Sequence, residues 1–427
     1  MKSDPLARAA KQLARWLDQL GRVSDERDRL TRTFLSPAME RANALVGGWM
    51  RAAGLTVRED ATGNLIGRLP AAAGPEPVER GAKTLLLGSH LDTVRNAGRF
   101  DGPLGVLLPI VALAELRRRG VALPFAVEVL GFSEEEAVRF SGAYLGSKAY
   151  IGRLRAADLK LRDARGETLA SVIEAHLGTG KKISPPAPVH RPRELLGYLE
   201  VHIEQGPVLE AEKLSVGAVS AIACQIRGRL TWTGKAGHAG TTPMRLRRDA
   251  LAGAAEFVLA VEAFARRQPQ LVATVGTITV PAGAANVIPG ATVLSLDVRH
   301  PLDAKCRAAR AKLLSLAQQI ARRRDLAVAW EQTMDHAAVA CAPQLTALLA
   351  QSVRAVQGRN LSLVSGAGHD AVVMSTATPV AMLFVRCRDG LSHHPDEYAS
   401  PADLQTALRV VVDFLQRLAQ AEIRRTL

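Results

Sequence analysis

The chain has 427 residues, a length that predicts two or three domains. Its residues are 48% hydrophobic, 4% aromatic and 22% charged, which excludes a disordered chain and predicts a core of mostly Ala, Leu and Val. The net charge of +14 raises a nucleic-acid-binding reading that has to be weighed against an enzyme. No apolar run approaches the ~20 residues that cross a bilayer. Met1 to Pro5 carry early charges of both signs, so no secretory signal is expected. Cys224, Cys306, Cys341 and Cys387 are far apart and form no CxxC. They read as small buried hydrophobes in a reducing cytoplasm, not as a disulfide framework or a thiolate zinc site.

Leu6 to Leu20 has helical apolar spacing, and Ser36-Pro37 opens a second helix with Met39, Ala42, Leu45, Val46 and Trp49 on one face. Leu55 to Arg58 and Asn64 to Arg68 read as short strands. Thr84 to Leu87 is a continuous apolar run, as in a strand buried on both faces. Val106 to Arg119 is helical, with Pro103 before it and Gly120 after it, and Phe125 to Leu130 is the next strand. That succession is a βαβ unit. Residues 180–195 read as a Pro- and Lys/Arg-rich loop, and Tyr198 to His202 as a strand. From Val216 the texture changes. Gly217 to Thr233 and Ala273 to Val280 alternate like antiparallel strands, Val293 to Val298 is a strand, and Ala250 to Arg266 and Ala304 to Arg323 are helical. After Thr333 the α/β texture returns, with a helix at Leu345 to Val356, a buried strand at Val380 to Val385 and a closing helix at Leu404 to Leu418. The expected fold is α/β with a mixed sheet flanked by helices, plus an inserted α+β domain. The expected parts are residues 1–215, 216–332 and 333–427.

Polar residues collect after the strands, where open α/β sheets bind ligands. The strand at 84–87 runs into Ser89, His90 and Asp92. The strand at 125–130 runs into Glu134, Glu135 and Glu136. Tyr198 to Val201 ends at His202, and Val380 to Val385 leads to Ser392, His393 and His394. Imidazoles and carboxylates suit zinc, manganese and similar ions. Each residue also has a plain structural role open to it: a hydrogen-bonded His, an N-cap for Asp101 before its helix, a solvated charge run for the three glutamates. The glutamates directly follow a buried strand, so one or two should point inward and need a partner there.

Several motifs carry a resemblance. They are Gly88-Ser89-His90-Leu91-Asp92-Thr93-Val94, Gly98 to Gly105, Glu135-Glu136 with Arg139-Phe140, Val201 to Pro207, Gly237 to Met244, Asn286 to Gly290, Ser365 to Ala371 and Ser392-His393-His394-Pro395. Together they resemble the dinuclear-metal amidohydrolases of N-carbamoyl compounds: allantoate amidohydrolase, N-carbamoyl-L-amino acid hydrolase and β-ureidopropionase. These belong to the metallo-aminoacylase/carboxypeptidase superfamily. The resemblance spans about Leu30 to Leu418.

The resemblance implies two divalent ions per subunit, Zn²⁺ or Mn²⁺ and possibly Co²⁺. Asp101 would bridge them, Glu136 and His393 would complete one site, and His90 and His202 the other. Asp92 would orient the His90 imidazole. Glu135 would be the general base and acid. His238, from the inserted domain, would stabilise the oxyanion, which implies a lid that closes and a homodimer built through the inserted domains. Arg299 would clamp a substrate carboxylate. Gln225, Asn286 and the backbone at Gly366 and Gly368 would be further substrate contacts, and His369-Asp370 a supporting pair. Ala137 stands where the family has Gly, so a positive φ there would be strained. Either His393 or His394 could ligate; His393 is preferred by its place directly after Ser392.

The implied reaction is hydrolysis of a ureido C–N bond, with allantoate giving ureidoglycine, ammonia and carbon dioxide. N-carbamoyl-L-amino acid hydrolase or β-ureidopropionase is the alternative, and a dipeptidase or aminoacylase a weaker one. The basic residues are scattered in short clusters at Arg117 to Arg119, Arg245 to Arg248 and Arg322 to Arg324. They form no basic stripe with stacking aromatics, so no nucleic-acid or membrane partner is expected.

Overall fold

The computed structural model describes residues 4–72, 82–178, 180 and 182–426. Lys181, in the expected basic loop, lies outside the described residues; residues 182–191 of that loop form no helix or strand. The first helix, α1 (Pro5–Leu20), starts where the Asp4 side chain accepts from the Leu6 amide. The second, α2 (Pro37–Ala52), starts where Ser36 accepts from Met39. There follow β1 (Thr56–Glu59), β2 (Leu65–Leu69), β3 (Thr84–His90), α3 (Pro103–Arg118), β4 (Ala126–Phe132), α4 (Leu145–Tyr150), α5 (Leu169–Leu177), β5 (Leu195–Ile203), α6 (Val208–Ala211) and β6 (Val216–Ile222). Next come β7 (Cys224–Thr233), β8 (Gly237–His238), α7 (Ala250–Ala265), β9 (Val272–Thr274), β10 (Ile278–Thr279), β11 (Val287–Ile288), β12 (Ala291–His300), α8 (Asp303–Arg323), β13 (Ala327–His336) and β14 (Val339–Ala340). The chain ends with α9 (Pro343–Gln357), β15 (Ser362–Ser365), α10 (Asp370–Met374), β16 (Val380–Val385) and α11 (Pro401–Thr426).

Two compact units result. The first comprises residues 1–220, 341–363 and 368–427, and the second residues 221–340 and 364–367. In the first unit the sheet runs β1-β2-β4-β3-β5-β16-β6. The four central strands β4, β3, β5 and β16 are parallel, and β2 and β6 flank them antiparallel. This is a mixed sheet flanked by helices. The strands β3, β4 and β16 are buried along their whole length; β16 is apolar throughout, whereas Glu128 interrupts β4 and β3 ends in Ser89 and His90. One face carries α3, α9 and α11, with α1 packed on α3 and α11, and their Leu, Val and Ala side chains form the main core with the sheet. The parallel strands all point their carboxyl ends to one edge. The chain leaves β3 for β4 on one side and returns to β5 on the other, which opens the crevice where such sheets bind ligands.

The second unit is α+β. Its antiparallel sheet runs β10-β12-β7-β13, with β9 also on β12. The helices α7 and α8 cover one face, around Trp232, Phe257 and Leu313. Alternate positions of β7 and β12 leave Gln225, Arg227, Asp297 and Arg299 together on the other face, with Asp297 opposite Arg227 and Arg299 opposite Gln225. A short ribbon pairs β8 with β11. Cys224 and Cys306 form a disulfide in this unit. The expectation of four unpaired thiols is corrected for these two, because α8 packs on β7 and joins residues 82 apart in sequence. Cys341 and Cys387 are free and buried.

Candidate metal centre

The carboxyl edge of the parallel strands gathers the imidazoles and carboxylates into three overlapping groups. These are His90, Asp101 and His202; His90, Glu135 and Glu136; and Asp101, Glu136 and His393. Within each group one ligand atom per residue lies within 4.8 Å of the others. Asp101 is the hub. Its Oδ1 is 3.0 Å from His202 Nε2 and 3.8 Å from His90 Nε2, and its Oδ2 is 3.1 Å from His393 Nε2. The helix cap before α3 is Gly102, so Asp101 is free of the N-cap role open to it in the sequence. Gly102 has φ +82°, and a Cβ there would stand 2.4 Å from the His90 ring, so only glycine allows this approach. His393 Nε2 is also 3.5 Å from Glu136 Oε1. His394 turns away and accepts from the Asp396 amide.

The nitrogens are set for metal. His90 Nδ1 is 2.9 Å from the Asp92 carbonyl and His202 Nδ1 is 3.0 Å from the Ile203 carbonyl. Each Nδ1 therefore carries a proton, which leaves each Nε2 facing Asp101, as an N–H donor in the imidazolium and as the ligand atom when a cation is bound. Two carboxylate oxygens facing separate imidazoles, with further carboxylates at hand, fit a pair of divalent cations.

Asp92 does something other than what its spacing from His90 implies. Its carboxylate is 3.6 Å from His90 Nδ1, whose close partner is the Asp92 backbone carbonyl. Its Oδ1 and Oδ2 instead accept the amides of Glu135 and Glu136, each at 3.1 Å. The chain turns after β3, so the carboxylate bonds the amides at the next strand's end while lying 3.6 Å from the imidazole.

All three glutamates after β4 are turned in. Glu134 accepts the amides of Arg139 and Phe140 and so closes its own loop. Burial, with Asp92 nearby, pushes its carboxyl up to about 8. Glu135 is 8% exposed; burial and the charges of Glu136, Asp370 and Asp92 hold its pKa well above the carboxylate range. Burial and Asp101 lift Glu136 to about 7. His202 rises to about 9, because its bond to Asp101 outweighs burial, and the same carboxylate lifts His393 to about 9. Ala137 adopts φ +55°.

Glu200, Gln205 and Ser392 had no role assigned from sequence, whereas His369, Asp370 and Gly368 were expected near the site. Glu200, fully buried on β5, accepts from Ser89 Oγ and the Ala371 amide. Its signal was a carboxylate inside an apolar strand. Gln205 Nε2 donates to Asp101 Oδ2 at 3.1 Å, and Ser392 Oγ donates to the same oxygen at 3.0 Å. The buried His369 ring stacks edge-on against His202. Asp370 lies in the same buried acidic group, next to Glu200. Gly368 stands against the Tyr144 hydroxyl.

The second unit gathers other expected residues. Arg299 Nε and Nη2 donate to the two oxygens of Asp297 at 2.9 and 2.8 Å, and Nη1 donates to the Gly366 carbonyl. Gln225 Nε2 donates to the same carbonyl at 3.3 Å. Of the five guanidinium N–H groups, one on each Nη is left for an end-on carboxylate. His238 is exposed; its Nδ1 accepts the amides of Gly240 and Thr241. Asn286 is exposed too, and its carbonyl accepts the Ala239 amide.

The chain resembles known proteins over most of its length. Residues 86–417 match the peptidase family M20/M25/M40. A probable allantoate deiminase of Oryza sativa subsp. japonica is 39% identical, over 94% of this chain and 87% of that one. An N-carbamoyl-L-amino acid amidohydrolase of Geobacillus stearothermophilus is 38% identical, over 95% of this chain and 98% of that one. The crystal structure of a hydantoinase/carbamoylase family amidase from Burkholderia multivorans superposes with a TM-score of 0.87 at 31% identity, over 95% and 97% of the two chains. The chain therefore belongs to peptidase family M20/M25/M40, within it to the N-carbamoyl amidohydrolases, and is a metal-dependent hydrolytic enzyme.

Proposed function

We propose that this enzyme hydrolyses the ureido C–N bond of a small carboxylate substrate, with allantoate giving ureidoglycine, ammonia and carbon dioxide. The observation that carries the reaction class is Asp101, whose two oxygens face separate imidazoles beside the buried Glu135. The choice of allantoate rests on the rice, Arabidopsis and soybean allantoate deiminases, 37–39% identical over 94% of this chain. The Geobacillus relative, equally similar and matched over 98% of its own length, favours N-carbamoyl-L-amino acids as the second reading.

In this reading His90 and His202 would hold one divalent cation, Glu136 and His393 the other, and Asp101 would serve both. When bound, Zn²⁺, Mn²⁺ or Co²⁺ polarises the ureido carbonyl and acidifies water. Glu135 removes the water proton and returns it to the departing nitrogen. Asp92 fixes the Glu135 and Glu136 amides and so aims both side chains. His238 donates to the oxyanion. Arg299 takes the substrate carboxylate end-on, and Gln225, Asn286 and the backbone at Gly366 and Gly368 complete the recognition. The second unit serves as lid and dimerisation surface of a cytoplasmic homodimer. Leu259, 67% exposed, and Val272, 58% exposed, support an interface on that unit.

The test is a substrate panel. Protein loaded with Mn²⁺, Co²⁺ or Zn²⁺ is offered allantoate, N-carbamoyl-L-amino acids, 3-ureidopropionate and dipeptides, and ammonia and amine release are measured. Allantoate is expected to give the highest kcat/KM, and no ammonia from any ureido compound would overturn the reading. Glu135→Gln should lower kcat by about 10²–10⁴-fold with bound metal retained. Activity surviving that change would overturn the mechanism.

A further inference from the structure

We propose that Glu397 is a positioning residue of the metal centre, a clamp that sets both ends of the bridging residue Asp101. This rests on the metal-site reading above. Glu397 is 1% exposed and belongs to the loop that carries His393. Its Oε1 accepts the amides of Phe100 at 2.8 Å and Asp101 at 3.0 Å. Its Oε2 is 3.1 Å from Ser392 Oγ, which lies 3.0 Å from Asp101 Oδ2. One carboxyl group thus holds the Asp101 main chain directly and reaches its side chain through Ser392, whose single hydroxyl proton goes to one of the two carboxyl groups at a time. Gln205 Nε2, 3.1 Å from both Asp101 Oδ2 and Ser392 Oγ, closes the ring of contacts.

The geometry is demanding. A Cβ on Gly98 would stand 2.4 Å from Glu397, so segment 98–101 approaches the glutamate as closely as backbone can. The Tyr398 ring meets Phe100 edge-on at 6.0 Å and pins the same two segments. These segments lie nearly 300 residues apart, and neither is part of a strand. No sheet ladder therefore fixes Asp101 relative to His393. A bridging carboxylate has to present each oxygen to a different cation, so a rotation of Asp101 would misplace both sites together. Outer groups that orient metal ligands typically change metal affinity 10–100-fold when removed.

The experiment measures Mn²⁺ dissociation constants by competition with a chromogenic chelator. It uses the full chain as wild type, Asp101→Ala, Glu397→Leu and Glu397→Gln, with thermal melts in EDTA alongside. Glu397→Leu is expected to weaken Mn²⁺ binding about 10–100-fold. Glu397→Gln should rescue most of that loss. Its Oε1 still accepts the two amides, and its Nε2 can donate to a Ser392 lone pair. A purely fold-stabilising glutamate would instead lower the melting temperature in EDTA and leave the dissociation constant unchanged, which overturns the proposal. If Glu397→Leu does not fold, Glu397→Asp replaces it with the same expectation, since it keeps the charge and loses the reach. Asp101→Ala separates the two levels of inference. If it binds Mn²⁺ like wild type, the metal-site reading itself is wrong; if it loses Mn²⁺ while Glu397→Leu and Glu397→Asp do not, only the clamp is wrong.

Discussion

Replacing Asp92 by Asn isolates what that carboxylate does. Its two oxygens each accept one amide at 3.1 Å, from Glu135 and Glu136. Hydrogen bonds to a charged acceptor contribute about 1.5–3 kcal/mol each. Asn keeps one acceptor and turns an NH₂ toward the other amide, so one bond is lost and two buried donors face each other. The expected cost is about 2–4 kcal/mol. Part appears as lower stability, at roughly 1 °C in Tm per kcal/mol, since the unfolding entropy scales with chain length. The rest appears at the Glu135 side chain, whose backbone anchor is gone. Each 1.4 kcal/mol of misplacement carried into the transition state is tenfold in rate, so a fall in kcat of about 10–100-fold is expected. Ammonia release at saturating metal, with metal affinity measured separately, is the assay. Were Asp92 to act by orienting His90, the loss would lie in metal affinity, and excess metal would restore kcat. Wild-type kcat at saturating metal therefore refutes the anchoring role.

Two further changes read other parts of the site. Ala137 sits at φ +55°, where a non-glycine residue costs about 1–2 kcal/mol. Ala137→Gly removes that strain and returns about 0.5–1 kcal/mol in unfolded-chain freedom. Calorimetry should show a net gain below about 1 kcal/mol, and a lower Tm would mean the loop is not strained there. Asp297 holds Arg299 through two hydrogen bonds and Arg227 through a third. Asp297→Asn should loosen the fork and raise KM for a carboxylate substrate about tenfold with kcat nearly unchanged, the pattern of lost uniform binding. An unchanged KM would separate Arg299 from substrate recognition.

The strands and helices that bury most were the most legible. Val380 to Val385 reads as a buried strand from six consecutive apolar residues, and β16 has those bounds. The closing helix continues past Leu418 to Thr426; residues 420–424 are exposed or half-buried and carry no apolar stripe by which to read it. The strand β13 was missed: it is an edge strand whose residues are mostly exposed, so burial imposes no clear alternation on it. The imidazoles and carboxylates that cluster were legible from their motifs: His90 and His202 lie within β3 and β5, Glu136 follows β4, Asp101 precedes α3 and His393 lies in the loop after β16. What supports them was not. Asp92 looked like a partner for His90 two positions away, yet it bonds amides 43 and 44 residues on. Glu397 reads as an ordinary surface acid, and its partners are Phe100 and Asp101. Likewise Asp297, between two strand arginines, gave no hint that it already occupies the fork of Arg299. Contacts of that kind are set by which strand ends meet, and spacing along the chain does not encode them.

The chain's positive charge hides a centre of the opposite sign. Asp92, Asp101, Glu134, Glu135, Glu200, Asp370 and Glu397 are all buried in the first unit, with Glu136 half-buried beside them. Without cations such a group is tolerable only by keeping protons or pairing with imidazolium. Burial and Asp101 lift Glu136 and Glu397 to about 7, and burial and Asp92 lift Glu134 to about 8. His202 and His393 rise to about 9. Each of these groups binds its proton more tightly folded than unfolded. The stability they contribute is complete below their unfolded pKa values, about 4.3 for Glu and 6.5 for His, and is lost as pH rises through the folded ones. Asp101, held well below the carboxylate range mainly by His202 and His393 against its burial, has the opposite sign, but it acts only below about pH 4. The metal-free protein should therefore lose Tm steadily from about pH 6 to pH 9 in EDTA. Metal binding needs the same ligands deprotonated, so the rise in Tm on adding Mn²⁺ should grow over that range. A rise that shrinks with pH would mean that these carboxylates and imidazoles are not what the cations displace protons from.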